Sequence, residues 1–223
     1  SAMHTTKPVT LFRTKSEAAA AIGALSDTSK MPGKSWGISA TLCHTGAKLA
    51  KRPGSICSSC YACKGSYTMY PAVAAAHAKR LSAYLADPAQ WRAAMVKLIA
   101  GQQYFRWFDS GDVQSPAMAL DILAIADSLP DVRFWSASRW VAFWRDALAV
   151  RPLPANVTLR MSAAFPDTDH VPGQSLTGTV ALVHTGEPQA GAHACPAPQQ
   201  GGKCGACRAC WSRDVAAVTY RAH

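Results

Sequence analysis

Residues 104–139, YFRWFDSGDVQSPAMALDILAIADSLPDVRFWSASR, read in one pass as a strand, a helix and a second strand. The opening YFRWFDSGD, 104–112, is a short aromatic run that ends in a polar turn, the pattern of a buried strand. Ser115 and Pro116 supply a hydroxyl cap and a proline for the first helical turn, and Met118, Ile122, Ile125 and Leu129 follow at helical spacing. Pro130 stops that helix, and VRFWSASR, 132–139, is the next strand. A helical crossover of this kind joins parallel strands.

The same alternation extends in both directions. Upstream, Thr14 to Glu17 is a capping box opening a helix to about Leu25, and SWGISATL, 35–42, has the length and composition of a buried strand. Pro71 opens a helix with Val73, His77, Leu81 and Tyr84 on one face, and Asp87-Pro88 caps another whose stripe is Trp91, Met95, Leu98 and Ile99. Downstream come a helix from Trp140 to Val150 and strands VTLRMSA, 157–163, and TVALVH, 179–184. About five strands are visible, short of the eight that close a (β/α)₈ barrel of typically ~250 residues. The expected fold is therefore α/β, a partial (β/α) barrel or an open curved parallel sheet of about five strands. One domain spans 1–223, with the α/β part over 30–190 and a cysteine-rich, metal-bound extension over 191–223.

All eight cysteines fall into two sets of four, each one outlying thiol plus a tight triplet: Cys43 with Cys57, Cys60 and Cys63, and Cys195 with Cys204, Cys207 and Cys210. Neighbours in a C-x-x-C-x-x-C run are too close to pair with one another without strain. The spacing suits a 4Fe-4S cluster with a remote fourth ligand, here followed in the second set by Pro196. Structural zinc is the alternative for either set, although zinc more often takes two separated C-x-x-C pairs. One or two clusters are thus expected, and disulfides are disfavoured.

No apolar run approaches the ~20 residues of a membrane span, and the first residues lack the regions of a signal peptide. These observations lead us to expect a soluble protein of the reducing host cytoplasm, where thiols bind metal. The formal charge of +10 suggests nucleic acid as a partner. Two thiolate-bound cubanes would subtract roughly four of those charges, so part of the excess balances metal.

In parallel α/β folds, functional groups gather where strands end. The predicted strand ends carry Cys43 and His44, then Asp109, Ser110, Gly111 and Asp112, then Ser136, Ser138 and Arg139, then Arg160 and Ser162, then His184. Asp109, Asp112, Arg139 and Arg160 are the candidates for catalysis, and Ser110, Gly111, Ser136, Ser138 and Ser162 for cofactor binding. The two arginines suit a carboxylate or phosphate on a small-molecule substrate, or ion pairs with Asp109 and Asp112 in a structural network. For Ser136, Ser138 and Ser162, capping or small-residue packing is the plainer role. His77, on an apolar helical face, reads as a core histidine. No Ser-His-Asp, Walker or G-x-G-x-x-G pattern is present.

The combination of KRPGSICSSCYACKG (51–65), WFDSGDVQS (107–115), FWSASRW (134–140), LRMSA (159–163) and a cysteine-rich C-terminus resembles the gene product 88-like family of bacteriophage proteins. The order of parts is also similar to that of radical S-adenosylmethionine enzymes. That likeness implies a cluster-binding loop after the first strand, at Cys57, Cys60 and Cys63, and a motif at the end of the second strand, Asp109 to Asp112, that holds the methionine part of S-adenosylmethionine. The run here is C-x-x-C-x-x-C, where that superfamily has C-x-x-x-C-x-x-C, and Cys43 is placed to fill the iron site which that chemistry leaves open. The functional expectation is redox or radical chemistry on a small substrate, possessing a redox partner; the alternative is a metal-stapled basic module that binds nucleic acid. The sequence specifies no oligomeric state.

Overall fold

A computed structural model describes residues 11–42, 48, 50–59 and 70–223. Its backbone is an open, all-parallel sheet of seven strands covered by helices. The strands are β1 (Lys34–Trp36), β2 (Tyr104–Trp107), β3 (Arg133–Ser138), β4 (Val157–Ser162), β5 (Val180–His184), β6 (His193–Ala194) and β7 (Ala217–Arg221), in the order β1-β2-β3-β4-β5-β7-β6. Neighbours follow chain order from β1 to β5, as successive helical crossovers require, and β1 and β6 form the two edges.

The helices begin where their caps dictate. Thr14 Oγ1 accepts from Glu17 N at the start of α1 (Lys15–Ile22), and Gly23, at φ 94°, ends it. Helix α2 (Pro71–Ala86) runs to Asp87, whose carboxylate caps α3 (Pro88–Ile99) by accepting from Gln90 N. Ser115 Oγ does the same for α4 (Pro116–Ser128) through Met118 N, and α5 (Val141–Val150) follows β3. A one-turn helix, α6 (Gln174–Thr177), precedes β5. No helix among the described residues is long and apolar enough to cross a membrane.

Register and alternation divide the side chains between two faces. Trp36, Trp107, Ser136 and Leu159 are in register across β1 to β4 and share one face with Phe105 and Phe134. That face meets the helices: Trp36 lies edge-on to Trp91 of α3 at 5.4 Å and to Trp107 at 5.9 Å, inside the main apolar core. The other face carries Arg106, Trp135 and Thr158 in register, then Arg160 opposite Ala137, and Val183 opposite Tyr220. Trp135, Trp211 and Val218 are buried but stand apart from the helix-side core.

Three expectations change. Among the described residues the sheet has seven strands where about five were expected, because the cysteine-rich extension, to which no strand was assigned, adds β6 and β7. Residues 195–216 are the crossover between those two parallel strands, in the place usually held by a helix. The first strand, predicted over 35–42, ends at Trp36. There the chain passes so close to the turn after β2 that a Cβ on Gly37 would lie 2.0 Å from Asp109 Oδ1, and Ile38 N donates to Ser110 O instead of continuing a ladder.

Candidate metal centre on the cysteine face

The polar turn after β2 ties three strand ends together. Phe108 takes a left-handed φ of 53°, uncommon for a bulky residue, and its N–H donates to Trp36 O, redirecting the chain as β2 ends. Ser35 Oγ of β1 donates to Asp109 Oδ2 at 3.1 Å. Gly111, at φ 79°, packs on Ile38, where a Cβ would fall 2.6 Å from Cγ1. Asp112 is buried and reaches the end of β3: Ser138 Oγ donates to its Oδ1 at 2.7 Å, Val113 N to the same oxygen at 2.7 Å and Arg139 N to Oδ2 at 2.8 Å. Burial pushes its carboxyl above the ordinary range, and the three donors offset this only in part.

The structure therefore brings Asp109, Ser110, Gly111, Asp112, Ser138 and the Arg139 backbone together. The aspartates are met by hydroxyls and main-chain N–H groups, while the Arg139 guanidinium donates to Ala163 O. Arg92–Asp121 and Arg151–Asp127 form ion pairs elsewhere in the described residues, and the Arg139 charge lies near enough to Asp112 to oppose the rise of its carboxyl pKa. Ser110 Oγ and Ser136 Oγ are buried with no hydrogen-bond partner among the described residues. Ser162 ends β4, half-buried, and His184 Nδ1 lies 2.9 Å from Thr219 Oγ1 of β7. His77 is buried, and burial, followed by the Arg80 charge, lowers its pKa.

Arg160 sits elsewhere. It is 0% exposed, on the face opposite the helices, and its guanidinium is enclosed by carbonyls of the C-terminal crossover. Nε donates to Cys210 O at 3.3 Å, Nη1 to Val215 O at 2.7 Å, and Nη2 to Ala209 O at 3.0 Å and Ser212 O at 2.8 Å. Longer contacts from Nη1 reach Val180 O and Ala216 O. One side chain thereby pins residues 209–216 to the sheet. Trp211 adds a second anchor, its Nε1 donating to Phe105 O at 3.0 Å and its ring lying edge-on to Trp135 at 5.5 Å.

This anchoring gathers the second cysteine set. Cys195, Cys204, Cys207 and Cys210 line one pocket with His193 and Trp211, of about 270 Å3 with its open mouth included. All four are free thiols. Cys195 N donates to Thr219 O of β7, and Cys204 N to Lys30 O, which fixes the two ends of the pocket. Cys207 Sγ is 3.4 Å from His193 Nε2, and Cys210 Sγ is 3.0 Å from Tyr220 Oη. Burial, then the neighbouring Cys195 and Cys207, raise the Cys204 pKa; burial pushes Cys210 up to about 11. The arginines Arg106 and Arg160 oppose that rise at Cys210. A buried thiol crowded by other sulfurs, as Cys204 is, becomes a thiolate more readily beside a cation.

No three His, Cys, Asp or Glu side chains among the described residues converge tightly enough for a single metal ion. Of the first cysteine set, Cys57 is described: it is buried in a short 3-10 turn, Ile56–Ser59, tied to the end of β4 by Ile56 N donating to Ala164 O. Cys43, Cys60, Cys63 and His44 lie outside the described residues.

The sequence alone did not single out His193, Tyr220, Arg106 or Trp211. A signal for Tyr220 lay in the alternation of AVTYR, 217–221, which reads as a strand once its neighbours are known. No curated protein and no solved structure matches the chain. A family model, Gene product 88, matches residues 10–213, and the chain belongs to that family.

Proposed function

We propose that this is an iron–sulfur protein in which Cys195, Cys204, Cys207 and Cys210 hold a 4Fe-4S cluster against the sheet, serving redox chemistry. The observation that carries this reading is the convergence of four free thiols on one pocket beside the buried Arg160, which has no carboxylate partner among the described residues. A buried cation needs an opposing charge, and four thiolates around iron and sulfide provide one. Zinc needs four donors at about 2.3 Å from one centre, tighter than the convergence seen, whereas cubane ligands stand on separate irons.

When bound, such a cluster supplies one-electron transfer. The chain's own part is to hold residues 209–216 through Arg160, to exclude water with Trp211 and Val218, and to place Tyr220 and His193 beside two of the sulfurs. Anaerobically purified protein is expected to be brown, to bleach with dithionite and to release acid-labile sulfide. Cys204→Ala should remove iron and sulfide together. Colourless protein with one zinc per quartet would overturn the reading and favour a zinc-stapled basic module, for which salt-dependent binding of DNA or RNA is the assay.

A second reading concerns the strand-end rim. Cys57 follows β1, the Asp109–Asp112 turn follows β2, and the buried Ser110 and Ser136 hydroxyls have no partner among the described residues. These features favour a small polar ligand there, S-adenosylmethionine among them, with a further cluster on Cys57, Cys60 and Cys63 whose fourth iron takes either Cys43, which closes it, or the ligand, which opens it to radical chemistry. Reductive cleavage of S-adenosylmethionine by dithionite-reduced protein is the test, and no 5′-deoxyadenosine formed by cluster-loaded protein would remove this reading.

A further inference from the structure

The surroundings of Cys210 differ from those of the other three cysteines. Its sulfur is 3.0 Å from Tyr220 Oη. Its own carbonyl accepts from Arg160 Nε. The Tyr220 ring is stacked on Trp135 at 6.5 Å, and the Arg106 guanidinium lies 4.5 Å from the centre of the Trp135 ring on that same face. The phenol is placed by β7, whose backbone pairs with β5 with Tyr220 opposite Val183, and by the stacking of its ring on Trp135.

Resting on the proposed cluster, we infer that Tyr220 sets the reduction potential of the centre by donating its phenolic hydrogen to Cys210 Sγ. A coordinating sulfur is a thiolate and has no hydrogen to give, so the hydroxyl is the donor. An added electron leaves all bonds in place and makes the centre more negative by one charge, part of it on the cysteine sulfurs. A hydrogen bond to sulfur and two nearby guanidinium groups favour that electron-rich state, and hydrogen bonding and local charge are among the factors that set such potentials. Tyr220 thus makes the C-terminal site an acceptor of electrons. It is a positioning residue that touches neither substrate nor iron.

The test is a dithionite redox titration of the holoprotein at fixed pH, followed by electron paramagnetic resonance. Tyr220→Phe keeps the ring and its stacking on Trp135 but removes the donor. The expected result is unchanged iron and sulfide content with one midpoint moved to more negative potential. An unmoved midpoint in fully loaded protein overturns the inference while leaving the cluster intact. Should Tyr220→Phe fail to load, 3-fluorotyrosine at position 220 answers instead: a more acidic phenol is a stronger donor, so the midpoint must move to less negative potential, and no shift refutes the role. Wild-type protein that takes up neither iron nor sulfide refutes the cluster itself.

Discussion

The two faces of the sheet are stabilised by different physics. On the helix side, Trp36, Trp91, Trp107, Phe105 and Phe134 interlock edge to face, and the burial of aromatic carbon accounts for cohesion. On the other side the cover is a crossover without an α-helix, residues 195–216, held by the guanidinium groups of Arg160 and Arg213 on backbone carbonyls and by one indole N–H, and carrying four thiols. The first face coheres through its own apolar side chains. The second concentrates guanidinium groups and four free thiols in one place, and under the proposed function a ligand that takes thiolates completes it. Under the proposed function, cohesion and redox chemistry occupy separate faces.

The largest expected effect lies on the helix side. Trp107→Ala should destabilise the whole chain by about 3–5 kcal/mol, read as a lower denaturation midpoint at every probe. If helices and the C-terminal crossover then unfold at separate midpoints, the faces are less coupled than one sheet implies. Arg160→Met should come next, with a loss of about 3 kcal/mol or more from carbonyls left without a donor. Its signature is local: faster hydrogen exchange over 204–216, with protection in α3 and α4 retained. Uniform exchange across both faces would contradict the separation.

Asp112→Asn should cost about 1–2 kcal/mol, since an amide cannot accept from all three donors. The pH dependence has a definite sign. Burial raises the folded carboxyl above its ordinary 3.8, so the folded chain holds this proton more tightly than the unfolded chain does. The group's contribution is therefore fully present at acid pH and is lost as pH rises through the raised value. The deficit of Asp112→Asn should shrink over that window, as checked by urea melts of parent and variant at each pH; a growing deficit would contradict the sign. The smallest effect is Ser115→Ala, about 1 kcal/mol from the loss of the α4 cap, measurable as a small shift in thermal midpoint with the cysteine face undisturbed.

Much of the helix side was legible because independent signals agreed there. In 104–139 the aromatic strands, the Ser115 cap, the helical spacing and the Pro130 stop all specify one βαβ unit, and the structure has β2, α4 and β3 in those places. Strand β1 was overestimated because propensity alone extends SWGISATL, whereas the close approach of the Asp109 turn at Gly37 ends it. The other face was harder. Strand β6 is two residues long, and β7 gains its identity from β5, a pairing that no local window contains. The cysteine spacing was visible in the sequence. The groups that surround Cys210 were not, because Tyr220, Arg106 and Arg160 arrive from three strands and meet only through register. Arg160 itself was expected beside Asp109 and Asp112; its parity on β4 turns it to the opposite face, toward carbonyls.

The most direct measurement is the iron and acid-labile sulfide content of a chain in which Cys43, Cys57, Cys60 and Cys63 are all replaced by alanine, reconstituted without oxygen. The account predicts that the remaining quartet still binds about four irons and four sulfides per chain, as one cubane requires, and gives a reduced-state paramagnetic signal. A chain that folds with its helices intact yet binds neither, or takes a single zinc instead, would contradict it.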